Sequence, residues 1–183
     1  MTIPPLPGKS PAQSRITLTQ LMGPADGNVQ GNVHGGLIMK LCDEAGAMAA
    51  SKHARRSVVT VTVDQMTFRA PVHIGDLVMV EAVVTWVGRT SIETRVVVSA
   101  ENVVTGEIAY TNTAYIVYVG LDSEGRPVPA PPLRPETPEE RQLFEQAIQR
   151  QAMRLTLRQQ ERGRPAGSTN PPEVTTTDSP ATG

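Results

Sequence analysis

The 183 residues carry 17 Lys and Arg against 18 Asp and Glu, a formal net charge of -1. The large basic surface that a phosphate backbone requires is therefore missing, and nucleic acid is excluded as a first partner class. A chain of this length can bury enough surface to fold as one domain, and its single cysteine, Cys42, cannot form an intramolecular disulfide.

Residues 1–14 are rich in proline and polar side chains and are read as a mobile lead-in, with order beginning near Ile16. The segment 16–22 can form a short strand. The following stretch GPADGNVQGNVHGG packs five glycines and a proline into 14 residues, which marks a specifically shaped loop of the kind that often carries function. From Gly35 to Ala54 the chain is rich in Leu, Met and Ala with only one β-branched residue, Ile38, which predicts a helix. Because it is apolar on nearly every side between Leu37 and Ala50, that helix is expected to be enclosed by protein.

Four strands should do the enclosing, over 57–69, 76–88, 90–102 and 107–120, joined as antiparallel hairpins at Gly75, Gly88 and Gly106. The period of two puts Ile92, Val96, Val98 and Ala100 on one face and Glu93, Arg95, Ser99 and Glu101 on a wet one. Val78, Val80, Ala82, Val84 and Trp86 share a phase. In the first of the four, apolar residues move from odd positions (Val59, Val61, Val63) to even ones (Met66, Phe68), which suggests a β-bulge near Asp64 or Gln65. One long helix against a curved antiparallel sheet, an α+β architecture, satisfies these patterns over residues 15–122.

A proline-rich connector and a helix follow over 123–162. Thr137-Pro138-Glu139-Glu140 is a capping box, and Phe144, Ile148, Ala152 and Leu155 form a narrow stripe that could dock on a subunit. Arg150, Arg154, Arg158 and Arg162 line another face, read as solvated. Residues 163–183, rich in Thr, Ser, Pro and Gly, are expected to be disordered. Lys40, Asp43 and Glu44 interrupt the apolar stretch 37–50 and the first 15 residues lack an apolar core, so a cytoplasmic protein without membrane contact is expected.

Three places could do chemistry. At the loop-to-helix junction, Gly35 and Gly36 would bare backbone N–H groups at a helix N-terminus, the geometry of an oxyanion hole. Asp43 lies two turns on, on the same face. A carboxylate there is costly unless it is paired or used, and pairing with Lys40 or a place at a subunit boundary competes with a catalytic role. His34 reads as a capping or packing residue, and His53 and His73 as surface groups. The turn Gly88-Arg89-Thr90-Ser91 could serve a phosphate or pantetheine amide, or be an ordinary hairpin. Lys52, Arg55 and Arg56 sit where a helix dipole favours cations in any case. Three scattered histidines and one cysteine give no metal-ligand spacing.

DGNVQGNVHGGLIMKLCDEAGAMAASKHA, followed by VVTVTVDQMTF and PVHIGD, resembles the cytosolic long-chain acyl-CoA hydrolase family, which includes the YciA type and the brain acyl-CoA hydrolase. The resemblance implies a hotdog fold, acyl-CoA as substrate, no cofactor, and Asn28 with Asp43 as catalytic residues. It further implies a homodimer whose two sites are each shared between subunits, assembled as a trimer of dimers, with CoA near the 88–91 turn. Asp43 would act as general base or as nucleophile. A non-catalytic acyl-CoA sensor and a hotdog hydratase are the alternatives. Met39, Met48, Met66 and Met79 would either wall an acyl tunnel or simply fill the core.

Overall fold

A computed structural model describes residues 6–163 of the chain. The expected disordered tail lies outside the described residues from 164 onward. The elements are β1 (Ile16–Leu21), α1 (Gly35–Ala54), β2 (Ser57–Phe68), β3 (Asp76–Val87), β4 (Ser91–Asn102), β5 (Ile108–Leu121) and α2 (Pro138–Gly163), with short 3-10 turns at Pro11–Ser14 and Pro24–Asp26. Among the described residues no helix is long and apolar enough to cross a membrane. The chain divides into two compact units, Met1–Ile148 and Gln149–Gly183.

The five strands form one antiparallel sheet in the order β1-β3-β4-β5-β2, so β1 and β2 are its edges. Alternate residues of the central strands, such as Val80, Val96 and Ile116, are buried against α1. The helix meets them with small side chains: Cys42, Ala45, Ala49 and Ala50 are all fully buried. It stops where Arg55 takes a left-handed conformation (φ 55°, ψ 38°) and closes its N–H on Ser51 O at 2.7 Å, an end more often taken by glycine.

Several faces depart from the expected pattern, and β-bulges explain most of them. The β2–β5 register skips Asp64, as expected, and also Val61. The extra irregularity leaves Val59, Val61 and Val63 nearly half exposed, while Val58, Thr62, Asp64 and Met66 turn toward the protein. In β3 the register skips Thr85, so the inward phase passes from Val84 to Val87 and Trp86 leaves the core. The outer face is not wet along its length, because Val83, Thr85, Glu93 and Ser99 are buried there. Leu143 of α2 lines one cleft with Val83 and Thr85.

Helix α1 is also less enclosed than its composition implied. Met39 and Met48 are 49% and 40% exposed, and Gly36, Lys40 and Glu44 share that open side. In α2 the capping box forms, with Glu140 N–H on Thr137 Oγ1 and the Glu140 carboxylate accepting the Thr137 N–H. Its less exposed side is Leu143, Ala147 and Arg154, not the expected stripe: Ile148, Ala152 and Leu155 are exposed. Arg154 is therefore not a solvated residue, and its Nε donates to Gln151 Oε1. The Arg162 side chain lies outside the described residues.

The lead-in and His53 need the largest correction. Residues 9–14 pack closely, with Ser14 fully buried and Lys9 bridged to Leu133. His53, expected at the surface, is fully buried between these two segments. Its Nε2 lies 2.8 Å from Pro131 O and its Nδ1 3.3 Å from Ser14 Oγ. Since a carbonyl can only accept, Nε2 carries the proton, and the single Ser14 hydroxyl proton is shared between Nδ1 and Pro11 O, each 3.3 Å away. Lys9 Nζ donates to the His53 carbonyl, completing the tie.

Burial, with the Lys9 charge adding to it, holds the His53 pKa below its usual 6.5 against a smaller opposing effect of the Pro131 carbonyl. The unfolded chain then takes up a proton that the folded protein resists, so the stability due to neutral His53 is complete above about pH 6.5 and is lost as pH falls below it. Melting temperature should drop between about pH 7.5 and about pH 5.5. His53→Gln, which can keep both hydrogen bonds but does not titrate, should make that drop smaller in thermal melts across the same range.

Candidate functional site at the exposed face of helix α1

Asp43 stands on the open side of α1, half buried. It is not paired with Lys40, which bridges to Glu44 at 2.8 Å on the helix surface. Its Oδ1 instead accepts from Thr60 Oγ1 on β2 (2.8 Å) and from the Tyr118 hydroxyl on β5 (3.2 Å). The same hydroxyl lies 3.0 Å from the Asp43 main-chain carbonyl. Burial, and then the Asp43 charge beside it, push the Tyr118 phenol well above its usual pKa, so it remains a proton donor at any physiological pH.

The loop before α1 is folded around Asn28. Asn28 Oδ1 accepts the N–H groups of Gln30 (2.9 Å) and Asn32 (3.2 Å), and its own N–H reaches Asn32 O at 2.7 Å. Both side-chain partners are donors, so the amide is oriented with its oxygen inward and its Nδ2 free of any bond among the described residues. His34 takes the N-cap position, but its exposed side chain caps nothing. Leu37 N–H closes on His34 O at 3.0 Å, which leaves the N–H groups of Gly35 and Gly36 without an acceptor among the described residues.

Asn28, Gly35, Ile38, Phe68 and Arg69 line a cleft of about 340 Å³ that does not include Asp43. From Gly36 to Asp43 is seven residues, about 10.5 Å along the helix axis. The 88–91 turn is farther still. Gly88 N–H bonds Ser91 O, and Gly120 N–H bonds Thr90 O, which places the turn beside the start of β2. Phe68, at the Asn28 end, is the last residue of the same 12-residue strand, roughly 36 Å away at the usual rise. One chain thus separates the glycine N–H pair from Asp43, although the sequence reading joined them, and both from the 88–91 turn.

Next to them the surface is apolar and incomplete. Val59, Val61, Val63 and Phe68 of the edge strand β2 are 45–49% exposed, and Met39 and Met48 of α1 are 49% and 40% exposed. No group of three or more His, Cys, Asp or Glu side chains among the described residues could hold a metal ion. Thr60 and Tyr118 were missed by sequence reasoning, because nothing in the β pattern distinguishes a threonine or tyrosine that faces a helix carboxylate from one that does not.

Residues 30–107 match the family model for the Thioesterase superfamily. The uncharacterized acyl-CoA thioester hydrolase YkhA of Bacillus subtilis is 38% identical over 138 residues, covering 75% of this chain and 80% of that protein. Among solved structures, an acyl-CoA hydrolase from Staphylococcus aureus in complex with butyryl-CoA, CoA and CoA disulfide is 31% identical, with a TM-score of 0.79 over 85% of this chain and 95% of that one. The same enzyme is matched as variants with alanine in place of its Asp43, its Asn28 or its Thr60. A hexameric thioesterase from Yersinia pestis is 38% identical, with a TM-score of 0.60 over 62% of this chain and 93% of that one.

The fold is thus the hotdog arrangement of the thioesterases, one long helix held in a curved antiparallel sheet, and the chain belongs to the family of acyl-CoA thioester hydrolases.

Cys42, the neighbour of Asp43, is fully buried, and burial with the adjacent Asp43 charge pushes its thiol pKa up to about 12. A thiol held protonated and out of reach is a poor nucleophile. Ellman's reagent at about pH 8 should therefore titrate no thiol in the native protein and one per chain after denaturation. The native protein consequently adds no background to an assay of thiol release.

Proposed function

We propose that this chain hydrolyses acyl-CoA thioesters to free CoA and a carboxylic acid, at sites each built from two copies of the chain. Asp43 of one copy is the general base. Asn28 and the N–H groups of Gly35 and Gly36 of the other hold the thioester carbonyl. The observation that carries this reading is the separation just described: about 10.5 Å along α1 divides the free N–H pair from the carboxylate. Thr60 and Tyr118 prevent the carboxylate from swinging toward it. A base must lie within about 3 Å of the attacking water, and that water about 3–3.5 Å from the carbonyl carbon. One chain does not meet both conditions.

A second copy can. The edge strand β2 has no neighbouring strand on its outer side among the described residues, so a two-fold pairing across it would extend the sheet and help to cover exposed apolar residues of β2 and α1. The half-exposed Asp43 would then face the neighbouring loop. The hexamer formed by the Yersinia pestis relative supports further assembly of such dimers in threes. The Staphylococcus aureus enzyme, known with its Asn28, Asp43 and Thr60 altered, supports the choice of residues, since this chain has the same residue types at the same three numbers. A cytoplasmic site of action fits the single buried thiol.

In the reaction, Asp43 takes a proton from water as the oxygen attacks the carbonyl carbon. The developing oxyanion is met by the two glycine N–H groups at the positive end of the helix dipole, and Asn28 Nδ2 supplies a further donor. Collapse breaks the C–S bond, and the proton held by Asp43 passes to the departing thiolate. The turn Gly88-Arg89-Thr90-Ser91, with the exposed Arg89, would meet the CoA moiety. Asp43 as nucleophile, attacking through Oδ2, is the alternative route.

Release of free thiol from a panel of acyl-CoAs tests the activity, and none from any chain length would favour a sensor. Sharing is tested by mixing. Asn28→Ala and Asp43→Ala, each nearly inactive alone, should recover roughly one quarter of wild-type activity when co-expressed, because half the dimers are mixed and each mixed dimer holds one intact site of two. No recovery, with subunit exchange confirmed by mass, would show that both residues serve one site within one chain.

A further inference from the structure

We infer that Tyr118 is a positioning residue for Asp43, which fixes the carboxylate so that Oδ2 is the oxygen that receives the proton from water. This rests on the reading of Asp43 as the base. A carboxylate oxygen offers about two acceptor sites. Those of Oδ1 are occupied by Thr60 Oγ1 and the Tyr118 hydroxyl, whereas Oδ2 accepts nothing among the described residues.

The two donors are not equivalent. Thr60 is an exposed residue of an edge strand. Tyr118 is fully buried and among the largest side chains of the core, so its hydroxyl is held by packing. It contacts both the main-chain carbonyl and Oδ1 of one residue, at 3.0 and 3.2 Å. A donor that grips backbone and side chain together fixes the rotation of the side chain between them.

The surroundings are arranged for that hydroxyl. The buried Thr94 Oγ1 lies near it, next to Gly46, without a geometrically formed hydrogen bond among the described residues. Gly46 provides the room: a Cβ there would run into Tyr118 Oη and lie 2.8 Å from Thr94 Oγ1. A phenylalanine at 118 would fill the same core volume, so the hydroxyl is a chemical requirement and not one of shape.

The test compares full-length wild type, Tyr118→Phe and Asp43→Asn for kcat and KM by thiol release, for CoA affinity by calorimetric titration, and for melting temperature. Tyr118→Phe should lower kcat about 10- to 100-fold, as expected for loss of a hydrogen bond to a charged group. KM and CoA affinity should stay within about twofold. Wild-type kcat in Tyr118→Phe, with Asp43→Asn inactive, overturns the inference alone; so does a parallel loss of kcat, KM and CoA binding. Wild-type kcat in Asp43→Asn means that the base itself was misassigned. If Tyr118→Phe does not fold, Thr94→Val is read in its place, since it exchanges the polar group beside the phenol for an apolar one of the same shape and leaves no partner unpaired. It should lower kcat about two- to tenfold at unchanged KM, and an unaltered kcat overturns the inference.

Discussion

The close approach of α1 to the inner face of the sheet is the constraint on which the rest depends. Cys42, Ala45, Gly46 and Ala49 are buried and present almost no side chain to the strands. Only with that spacing can a tyrosine rooted in β5 reach a carbonyl and a carboxylate on the helix. A larger residue at 46 would lift the helix, and Asp43 with it. Close packing of this kind transmits displacement with little loss, so the core and the carboxylate are mechanically one object.

The regular part of this architecture could be read from the chain because it depends on local signals. The helix bounds Gly35–Ala54 and the hairpins at Gly88 and Gly106 came from composition, period and glycine placement, and are found; the hairpin expected at Gly75 is not, because β2 crosses to the far edge and pairs with β5 while β3 lies between β1 and β4. What could not be read depends on partners distant in sequence. His53 looked like a surface histidine beside two arginines, and only the approach of Ser14 and Pro131, 39 and 78 residues away, makes it a core residue. The odd-numbered valines of β2 looked like core, but bulges at Val61 and Asp64 turn them outward. Of the site, Asn28, Gly35, Gly36 and Asp43 were legible through the family motif. Thr60 and Tyr118 were not, because their role is a matter of register between a helix and two strands.

The misjudged enclosure of α1 has a simple physical source. A helix apolar on nearly every side does need cover on nearly every side, but a sequence does not say whose atoms supply it. Here the sheet covers one side and leaves Met39 and Met48 of the helix exposed, while valines and a phenylalanine are exposed on the edge strand β2. Exposed strand edges and contiguous apolar strips are both costly features for a chain that stays single. Their coincidence with a half-exposed carboxylate puts the folding problem and the chemical problem at the same surface.

The buried tie at the end of α1 has a consequence for how the protein acquires its structure. Lys9 bridges Leu133, and His53 holds Ser14 on one side and Pro131 on the other. One segment thus has its resting place completed by another made more than a hundred residues later. Closing so long a loop costs only slightly more entropy than a short one, since the cost grows with the logarithm of length. The docking nonetheless has to wait until Pro131 and Leu133 have been made. During that interval the imidazole of His53 is wet and free to titrate, and its disappearance into the core is a natural clock for the last step of folding.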